Sequence, residues 1–383
     1  MRKLTNTSIL IVARGGDPIG IGREVEFAAM QNRLLGIRVH VVFLSAYGSL
    51  SGRLSQQGVN VQILGKRHDP DMAVIGRLAK VIFSLKPAVV ITFGQVQATL
   101  SALAIMLQPP GRLHPKLVCR IATTCMGLRA WALRRAHKVL VSSSQVFSAC
   151  KKIGISTQRL CVVNPLAHAA SSEGLTREDI ANQLKLDKHK LWTLCAAPLN
   201  ARSHLSRLLW AIDQLGIVRN DVEHVLVGSG PQLRQLVRRA QIQQLEGRLR
   251  IIPSCDCLPD LLRETQLVWQ SGEVALGGAL FDAMSLGKPT VAIESDAAEQ
   301  AIVSGQSGWI VPLEPASEFA RCALSVLEDQ KIISKFHNNA LERAKQHFSA
   351  GQFLSHLETV MNEVVENEES VQAVEATKEK ANP

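Results

Sequence analysis

Three short groups of glycine and charged residues have the composition of a site for a phosphorylated ligand. Gly20-Ile-Gly22 follows an apolar run and opens a helical segment, and Gly228-Ser-Gly230 follows another apolar run. Glycines at such turns let the backbone approach a ligand, and the free amides of a helix N-terminus attract negative charge. The first turn predicts contact with a negatively charged ligand, although a tight turn from a strand into a helix needs glycine for structural reasons alone. The second turn is interpreted as mainly structural, with the lining of a pocket for the base of a nucleotide as the alternative.

The third group surrounds a short helix predicted from Asp282 to Leu286. Gly277 and Gly278 precede this helix, and Glu273 lies a few residues earlier. Paired glycines there leave backbone amides exposed at the helix N-terminus, where a phosphate group could bind. This segment is therefore the third candidate for contact with a phosphorylated ligand.

The elements after this helix follow the order of a parallel βαβ unit. Gly287 ends the helix, a strand runs from Thr290 to Ile293, and Glu299 opens the next helix before a turn into Trp309. Ligands of such units bind at the carboxyl ends of the strands. The candidate residues are therefore expected at one edge of a parallel sheet.

Other kinds of site lack their sequence signatures. A dinucleotide-binding fingerprint would need a third glycine where Leu233 stands. No group of His, Asp or Glu has metal-ligand spacing, and no Ser-His-Asp signature is legible. The eight cysteines are scattered, and Cys255-Asp-Cys257 has the spacing of neither a zinc site nor a redox pair. We expect no metal site, and buried cysteines in a cytoplasmic protein.

Length and composition indicate a globular protein with two domains. The chain has 383 residues, and single cores rarely grow past ~250–300 residues. Hydrophobic residues make up 46% of the chain and charged residues 20%, which excludes wholesale disorder. No apolar run approaches the ~20 residues of a membrane span, and Ile9–Ala13 is too short for the core of a signal peptide.

The net charge of +10 points to an anionic partner. A single tyrosine, without interleaved aromatic and basic residues, disfavours nucleic acid. Basic residues concentrate in residues 129–138 and 234–250. The first cluster has two interpretations that stay open, peripheral contact with anionic headgroups at the inner face of a membrane and a solvated helix face.

Apolar runs alternate with helical segments in both halves of the chain, which predicts two parallel sheets with helical crossovers. The predicted strands are Ile9–Ala13, Val39–Leu44, Val59–Leu64, Ala88–Ile91, Leu117–Ile121, Val139–Val141, Leu160–Val163, Leu191–Ala196, Val225–Val227, Leu249–Ile252 and Leu267–Trp269. The expected organisation is an N-terminal domain over 1–165, a linker over 166–190, a C-terminal domain over 191–348, a helix over 349–365 that closes back onto the N-terminal domain, and a disordered acidic tail over 366–383.

Residues 8–365 resemble the retaining GT-B glycosyltransferases, in particular family 4, the glycosyl transferases group 1 type. The resemblance rests on residues 282–312 and on the glycine turns at 20–23 and 228–231. It implies an α/β GT-B fold, in which two Rossmann-like domains place their parallel sheets across a cleft. The first domain would present an acceptor and the second would bind a nucleotide sugar. The implied donor-binding residues are Gly20, Gly22, Arg202, Gly228, Gly230, Glu273, Gly277, Gly278, Asp282 and Glu299.

Two glutamates seven residues apart mark the donor site of this family. The resemblance implies that the second, which is Asp282 here, hydrogen-bonds the ribose of the nucleotide. The first glutamate touches the donor sugar in the family and falls on Val274, with Glu273 one residue earlier. Either a shift of the loop restores the contact through Glu273, or the contact with the sugar is absent.

An arginine and a lysine hold the pyrophosphate in the family, and these positions are Pro198 and Ser203 here. Arg202 is next to the second position, and a guanidinium can bind phosphate in a bidentate manner. Arg202 therefore either replaces the missing lysine or is a surface arginine of a divergent loop. The catalytic residues are unknown from sequence, with Arg202 and Glu273 as the candidates.

The leading hypothesis is a cytoplasmic, metal-independent hexosyltransferase. It would move a sugar, with retention of configuration, from a nucleotide diphosphate sugar to a hydroxyl of a glycan, lipid or small molecule, without a further cofactor. The competing hypothesis is a catalytically silent GT-B-like binding or scaffold protein, because Pro198, Ser203 and Val274 depart from the family. A sugar-nucleotide epimerase of this architecture would need acidic and histidine side chains converging on the sugar, and none stand out.

Overall fold

The computed structural model describes residues 8–16, 18–46, 48–66, 71–110, 114–123, 128–167, 174–274, 276 and 278–364. These residues fold as two compact units. The first unit takes the described residues within 1–16, 25–164 and 351–383, and the second takes those within 17–24 and 165–350. The glycine turn at residues 20–22 therefore belongs to the second unit.

A parallel sheet of seven strands forms the middle of the first unit. The strands are β1 (Ser8–Ala13), β2 (Arg38–Phe43), β3 (Asn60–Ile63), β4 (Val89–Phe93), β5 (Lys116–Ile121), β6 (Lys138–Val141) and β7 (Leu160–Val162). They lie in the order β3-β2-β1-β4-β5-β6-β7. The helices are α1 (Ile21–Leu34), α2 (Leu50–Gln56), α3 (Ala73–Leu85), α4 (Gln95–Met106), α5 (Leu128–Arg135), α6 (Ser144–Lys152) and a C-terminal helix over residues 350–364.

The middle strands of this sheet are buried along nearly their whole length, as expected where helices cover both faces. Only the edge strand β3 is largely exposed. One hydrophobic cluster joins α3, α4, α5 and α6 to the sheet, so these four helices share one face of it. The predicted strands of the first half are thus confirmed, with ends that differ by one or two residues.

The second unit contains a parallel sheet of six strands. They are β8 (Leu191–Ala196), β9 (Val222–Val227), β10 (Leu249–Ile252), β11 (Leu267–Gln270), β12 (Thr290–Ile293) and β13 (Trp309–Val311). Their order is β10-β9-β8-β11-β12-β13. The helices are α7 (Arg177–Leu184), α8 (Leu205–Val218), α9 (Leu233–Ile242), α10 (Leu258–Glu264), α11 (Leu280–Ser285), α12 (Asp296–Ala301), α13 (Ser317–Glu328) and α14 (Gln330–His347).

The strand order of the second sheet creates a switch point beside β8. From β8 the chain continues to β9 and β10 on one side and later returns to β11 on the other side. Connections that leave neighbouring strands in opposite directions open a crevice at the carboxyl edge of a parallel sheet. This edge receives the residues after β8 and β11.

Two helices near this edge begin earlier than their sequence predicts. The helix predicted from Asp282 to Leu286 is α11, which begins at Leu280 and has Asp282 in its first turn. The helix predicted to open at Glu299 is α12, which opens at Asp296. Its N-cap is Ser295, whose hydroxyl accepts a hydrogen bond from the amide of Ala298 at 3.3 Å.

None of the seven cysteines that the structure describes forms a disulfide, and all of them except Cys161 are buried. The sulfur atoms of Cys255 and Cys257 lie 3.4 Å apart. Within the part of the chain that the structure describes, every helix is too short or too polar to cross a membrane. The acidic tail predicted over residues 366–383 lies outside the described residues.

A polar network inside the second sheet joins three strands. The Thr193 hydroxyl accepts a hydrogen bond from the indole of Trp269 at 2.9 Å and lies 2.7 Å from Nδ1 of His224. All three side chains are buried. Burial, assisted by the charge of Arg248, lowers the pKa of His224 from 6.5 to about 3. The imidazole is therefore neutral at neutral pH and shares a hydrogen bond with the Thr193 hydroxyl.

The buried imidazole makes stability depend on pH in a defined direction. The pKa of His224 lies below its unfolded value of 6.5, so the unfolded chain binds this proton first as the pH falls. The free energy of unfolding should decrease by about 1.4 kcal/mol for each pH unit below about 6.5 through this residue. Urea unfolding followed by tryptophan fluorescence at pH values between about 7 and about 5 measures the slope.

The variant His224→Asn is the matched control, because it keeps a polar side chain but cannot titrate in this range. The remaining carboxylates and histidines of the protein also make the free energy of unfolding depend on pH. Only the difference between the slopes of the wild type and the variant therefore measures the contribution of His224. Equal slopes for the wild type and the variant would contradict the prediction.

Candidate functional site

The candidate residues of the second unit lie at the carboxyl ends of four neighbouring strands. Arg202 follows β8, Gly228 and Gly230 follow β9, Glu273 follows β11, and Glu299 lies in the helix that follows β12. Because parallel strands end at the same edge, the sheet brings these segments together. The observation places them where ligands of open α/β sheets bind.

Backbone hydrogen bonds join the loop after β8 to the turn after β9. The amide of Leu199 donates to the carbonyl of Ser229 at 3.0 Å, and the amide of Gln232 donates to the carbonyl of Leu199 at 3.0 Å. A side chain at Gly228 would overlap the carbonyl oxygen of Ala197. Gly228 is therefore required by close packing of two backbone segments, which supports the structural interpretation of this turn.

The same loop is joined on its other side to the segment after β11. The amide of Glu273 donates to the carbonyl of Arg202 at 3.0 Å, and the hydroxyl of Ser271 donates to the carbonyl of Ser203 at 2.6 Å. The two residues singled out as catalytic candidates are thus neighbours through their backbones. Both side chains are exposed.

Pro198, Ser203 and Val274, which differ from the pattern of the resembled family, contribute to the packing of the second unit. Ser203 is completely buried, and its hydroxyl donates to the carbonyl of Pro198 at 2.5 Å. Val274 is buried and belongs to the hydrophobic core of the second unit. The neighbouring residue Arg202 is the exposed cation of this loop.

A close approach also fixes the segment before α11. Gly278 has a left-handed backbone (φ +55°), and a side chain there would overlap the carbonyl oxygen of Ala196 at the end of β8. This packing draws the start of α11 toward β8. The predicted site residue Gly277 lies outside the described residues.

Asp282 is buried in the first turn of α11 and has a charged neighbour. Its Oδ2 lies 3.7 Å from Nε of Arg23, and each side chain is only 6% exposed. Removing either partner of a buried ion pair leaves the other charge uncompensated, so the pair depends on both residues. The sequence placed Asp282 at the site but gave Arg23 no role, because its partner is hundreds of residues away along the chain.

The glycine turn at residues 20–22 leads directly to this ion pair. Gly20 is left-handed (φ +50°), and the amide of Gly22 donates to the carbonyl of Ile19 at 2.9 Å. The Ile19 side chain packs against the cluster that contains α11 residues. The buried carboxylate of Glu24 accepts a hydrogen bond from the amide of Leu166 at 3.3 Å. The turn is therefore anchored to the unit that contains Asp282.

Glu299 lies on the helix next to the one that carries Asp282. It is the fourth residue of α12, and its side chain is exposed. The helices α11 and α12 share one hydrophobic cluster, so Glu299 lies on an element that packs beside Asp282.

The site combines a buried carboxylate, an exposed guanidinium and an exposed carboxylate around glycine-rich backbone. Such a set can accept hydrogen bonds from hydroxyl groups and bind a phosphate. Among the residues that the structure describes, no three His, Cys, Asp or Glu side chains are grouped so that they could hold a metal ion.

Part of the chain matches a known protein family. Residues 176–346 match the family model described as Glycosyl transferases group 1. The chain is 22% identical to N-acetyl-alpha-D-glucosaminyl L-malate synthase of Bacillus anthracis over 151 residues. This matched segment covers 39% of this chain and 40% of that protein. Over 160 residues it is 27% identical to phosphatidyl-myo-inositol mannosyltransferase of Mycolicibacterium smegmatis, which covers 38% of each. The matches therefore span about two-fifths of these relatives.

Solved structures resemble the chain over nearly its whole length. Anabaena HepE in complex with UDP-glucose has a TM-score of 0.75 at 18% identity, over 93% of this chain and 99% of that one. Sucrose-phosphate synthase from Thermosynechococcus elongatus has a TM-score of 0.73 at 14% identity, over 94% of this chain and 100% of that one. At these identities the likeness shows the fold, and the predicted GT-B fold with two Rossmann-like units is confirmed.

The close approach at Gly278 predicts a large loss of stability on substitution. Gly278→Ala should lower the free energy of unfolding by about 1–2 kcal/mol for its left-handed backbone and by a further 1–3 kcal/mol or so for overpacking. Gly247→Ala is the control, because Gly247 is also left-handed (φ +78°) but a side chain there would meet no atom within 4 Å. Chemical unfolding of both variants measures the difference, and equal losses would show that the contact with Ala196 is not restrictive.

Proposed function

We propose that this chain is a glycosyltransferase that moves a hexose from a nucleotide diphosphate sugar to an acceptor hydroxyl with retention of configuration. The observation that carries the proposal is the grouping of Arg202, Glu273 and Asp282 at the carboxyl edge of the second sheet. This edge lies within the residues that match the Glycosyl transferases group 1 model. A protein of the same fold, Anabaena HepE, was solved with UDP-glucose. The comparisons support sugar transfer in general.

In this proposal Asp282 binds the ribose of the nucleotide. Its carboxylate accepts hydrogen bonds from the two ribose hydroxyls, while the charge of Arg23 at 3.7 Å offsets the negative charge and restrains the carboxylate. The hydroxyls are neutral donors, so they can bind without removing the counter-charge of Arg23. Arg23 is thus a positioning residue for the ribose contact.

Arg202 and Glu273 act on the diphosphate and the sugar. Arg202 binds the diphosphate and stabilises the charge that develops on it as the sugar leaves, a contribution that is commonly large in enzymes. Glu273 lies on the neighbouring backbone segment and contacts the sugar. The turn at Gly20 and Gly22 lets the backbone approach the nucleotide, whereas Gly228, Gly230 and Gly278 allow the backbone segments of the site to pack closely together. Glu299 contributes from α12.

We further propose that the reaction needs neither a cofactor nor a metal ion, and that the protein is cytoplasmic at the inner face of a membrane. The acceptor would be a glycan, a lipid or a small molecule. Turnover that persists in excess EDTA would support metal independence, and turnover lost in EDTA and restored by a divalent cation would contradict it.

A catalytically silent nucleotide-sugar-binding protein is the second candidate. It is favoured by the buried Ser203 and by the core position of Val274, which leave the loop with fewer charged side chains than the family resemblance implies. Both candidates predict a nucleotide site, and they differ in turnover.

The experiment that separates them screens UDP-, GDP- and ADP-sugars by thermal shift and then measures chemistry with the sugar nucleotide that binds. Release of nucleoside diphosphate, with water or an added acceptor, should occur in the wild type and be lost in Asp282→Asn. The anomeric configuration of the product, read by proton NMR, tests retention. Tight binding without release would favour the silent protein, and no binding of any sugar nucleotide would reject both candidates.

Replacing Arg202 tests the diphosphate contact. Arg202→Ala should weaken binding of a nucleoside diphosphate by about 1.5–3 kcal/mol, the scale of a hydrogen bond to a charged group, and should leave nucleoside binding nearly unchanged. Isothermal titration calorimetry with both ligands measures the effect. The control is Arg207→Ala, which removes an equal charge about one helical turn further along the chain. The guanidinium of Arg207 is paired with Glu314. Equal losses for nucleoside and diphosphate would show that Arg202 has a structural role.

Replacing Asp282 tests the ribose contact. Asp282→Asn keeps the shape but exchanges one acceptor for a donor, so binding of nucleoside and nucleoside diphosphate should weaken alike, by roughly 1–3 kcal/mol. Calorimetric titration at a temperature where circular dichroism shows the folded state measures the affinity. A lower melting temperature with unchanged affinity would mean that Asp282 serves only as the partner of Arg23.

A further inference from the structure

The positive charge of the chain is concentrated in one part of the sequence. The stretch from Met72 to Ser172 contains thirteen lysine and arginine residues and no aspartate or glutamate, whereas the whole chain has a net charge of +10. All thirteen basic residues lie between Arg77 and Arg159, a segment that runs from α3 to the start of β7 and belongs to the first unit. An uninterrupted charge of one sign over so long a segment is a property of a surface rather than of a single helix.

The fold gathers the C-terminal ends of four helices from this stretch at one rim. α3, α4, α5 and α6 pack on one face of the first sheet in a single hydrophobic cluster. Each connects two parallel strands, so the four helices run in the same direction and end beside the amino ends of the strands. We name this surface the basic rim and define it by the helix ends 83–86, 106–107, 134–135 and 151–152.

Side-chain contacts join neighbouring helix ends of the basic rim. Gln108, just after α4, donates to the carbonyl of Ala79 in α3 at 3.1 Å. Arg135 of α5 lies 3.9 Å from the sulfur of Met106 in α4. Arg134 donates to the carbonyl of Ile153, just after α6, at 2.9 Å. The four helix ends therefore form one continuous surface.

The basic rim exposes apolar as well as basic side chains. Phe83 is 45% exposed, Met106 54% and Leu107 63%. The guanidinium of Arg135 stacks over the half-buried indole of Trp131 at 4.8 Å. Basic residues at helix C-termini are favoured by the helix dipole alone, but that effect does not account for large apolar side chains held in water between them.

One described acidic group reaches the rim from the C-terminal helix, where Glu363 lies 2.5 Å from Nζ of Lys138 at the start of β6. Asp71 pairs with Arg77 at 3.1 Å, but this pair lies toward the N-terminal end of α3, away from the rim. The side chains of Arg134, Arg135, Lys151 and Lys152 are exposed to solvent. The basic rim therefore stays cationic with these groups included.

We infer that the basic rim docks on an anionic lipid bilayer, with its lysines and arginines on the headgroups and Phe83, Met106 and Leu107 in the interface. Mixed basic and apolar surfaces bind such bilayers through both contributions, whereas a polar anion would gain nothing from the apolar side chains. The inference deepens the membrane contact of the proposed function by naming its surface, but it does not depend on a nucleotide site.

Co-sedimentation with vesicles tests the inference on the full chain without nucleotide. The wild type should bind vesicles that contain phosphatidylglycerol much more strongly than vesicles of pure phosphatidylcholine, to which only the apolar side chains contribute. Lys151→Gln with Lys152→Gln should weaken binding about 25-fold, at roughly fivefold for each charge near the surface. Leu107→Ser should weaken the binding that persists at high salt, because screening removes only the electrostatic part.

The matched control is Arg234→Gln with Arg238→Gln on α9, which removes the same charge from the other basic segment and should change binding by less than about twofold. Equal weakening by both double variants would overturn the inference in favour of a net-charge effect. Binding that appears only after removal of residues 366–383 would overturn it in favour of the acidic tail as the occupant. Nucleotide affinity, measured separately, should be the same in all these variants, so a failure here is distinct from a failure of the proposed function.

Discussion

The candidate site depends on the backbone hydrogen bonds that hold the loop after β8 on both sides. Leu199 is bonded to the turn after β9, and the carbonyl of Arg202 accepts from the amide of Glu273 after β11. Backbone bonds of this kind do not require particular side chains, so the loop can keep its course although Pro198 and Ser203 stand where the family resemblance implies cations. The scaffold is retained, and the exposed charge of the loop is carried by Arg202.

The ion pair of Arg23 and Asp282 places a second restraint on the same site. Burying two charges costs free energy unless they are paired, and each of these side chains is only 6% exposed. A ligand that reaches Asp282 must therefore bond to the carboxylate without displacing the charge of Arg23. Neutral hydroxyl donors meet that condition, whereas a second cation would compete with Arg23. The proposed ribose contact meets this condition because ribose hydroxyls are neutral donors.

Local sequence signals predicted most of the fold and only part of the site. Short apolar runs gave the strands, because strands buried on both faces need continuous hydrophobic residues, as in β8 and β12. The predicted starts of α11 and α12 were wrong, because both helices begin earlier in the structure. For α12 the reason is the serine at position 295, whose side chain caps the helix. The partner of Asp282 and the burial of Ser203 depend on contacts distant in sequence, which no local pattern encodes. The charge of the basic rim was visible in the sequence, but its grouping at four helix ends required the topology.

The central claim is that the second unit binds a nucleotide at the carboxyl edge of its sheet, and a crystal structure of the protein with a bound nucleoside diphosphate tests it most directly. The account predicts that the ribose hydroxyls lie within hydrogen-bond distance of the Asp282 carboxylate and that the diphosphate lies beside the Arg202 guanidinium. A nucleotide bound elsewhere on the protein, with Asp282 and Arg202 untouched, would contradict it.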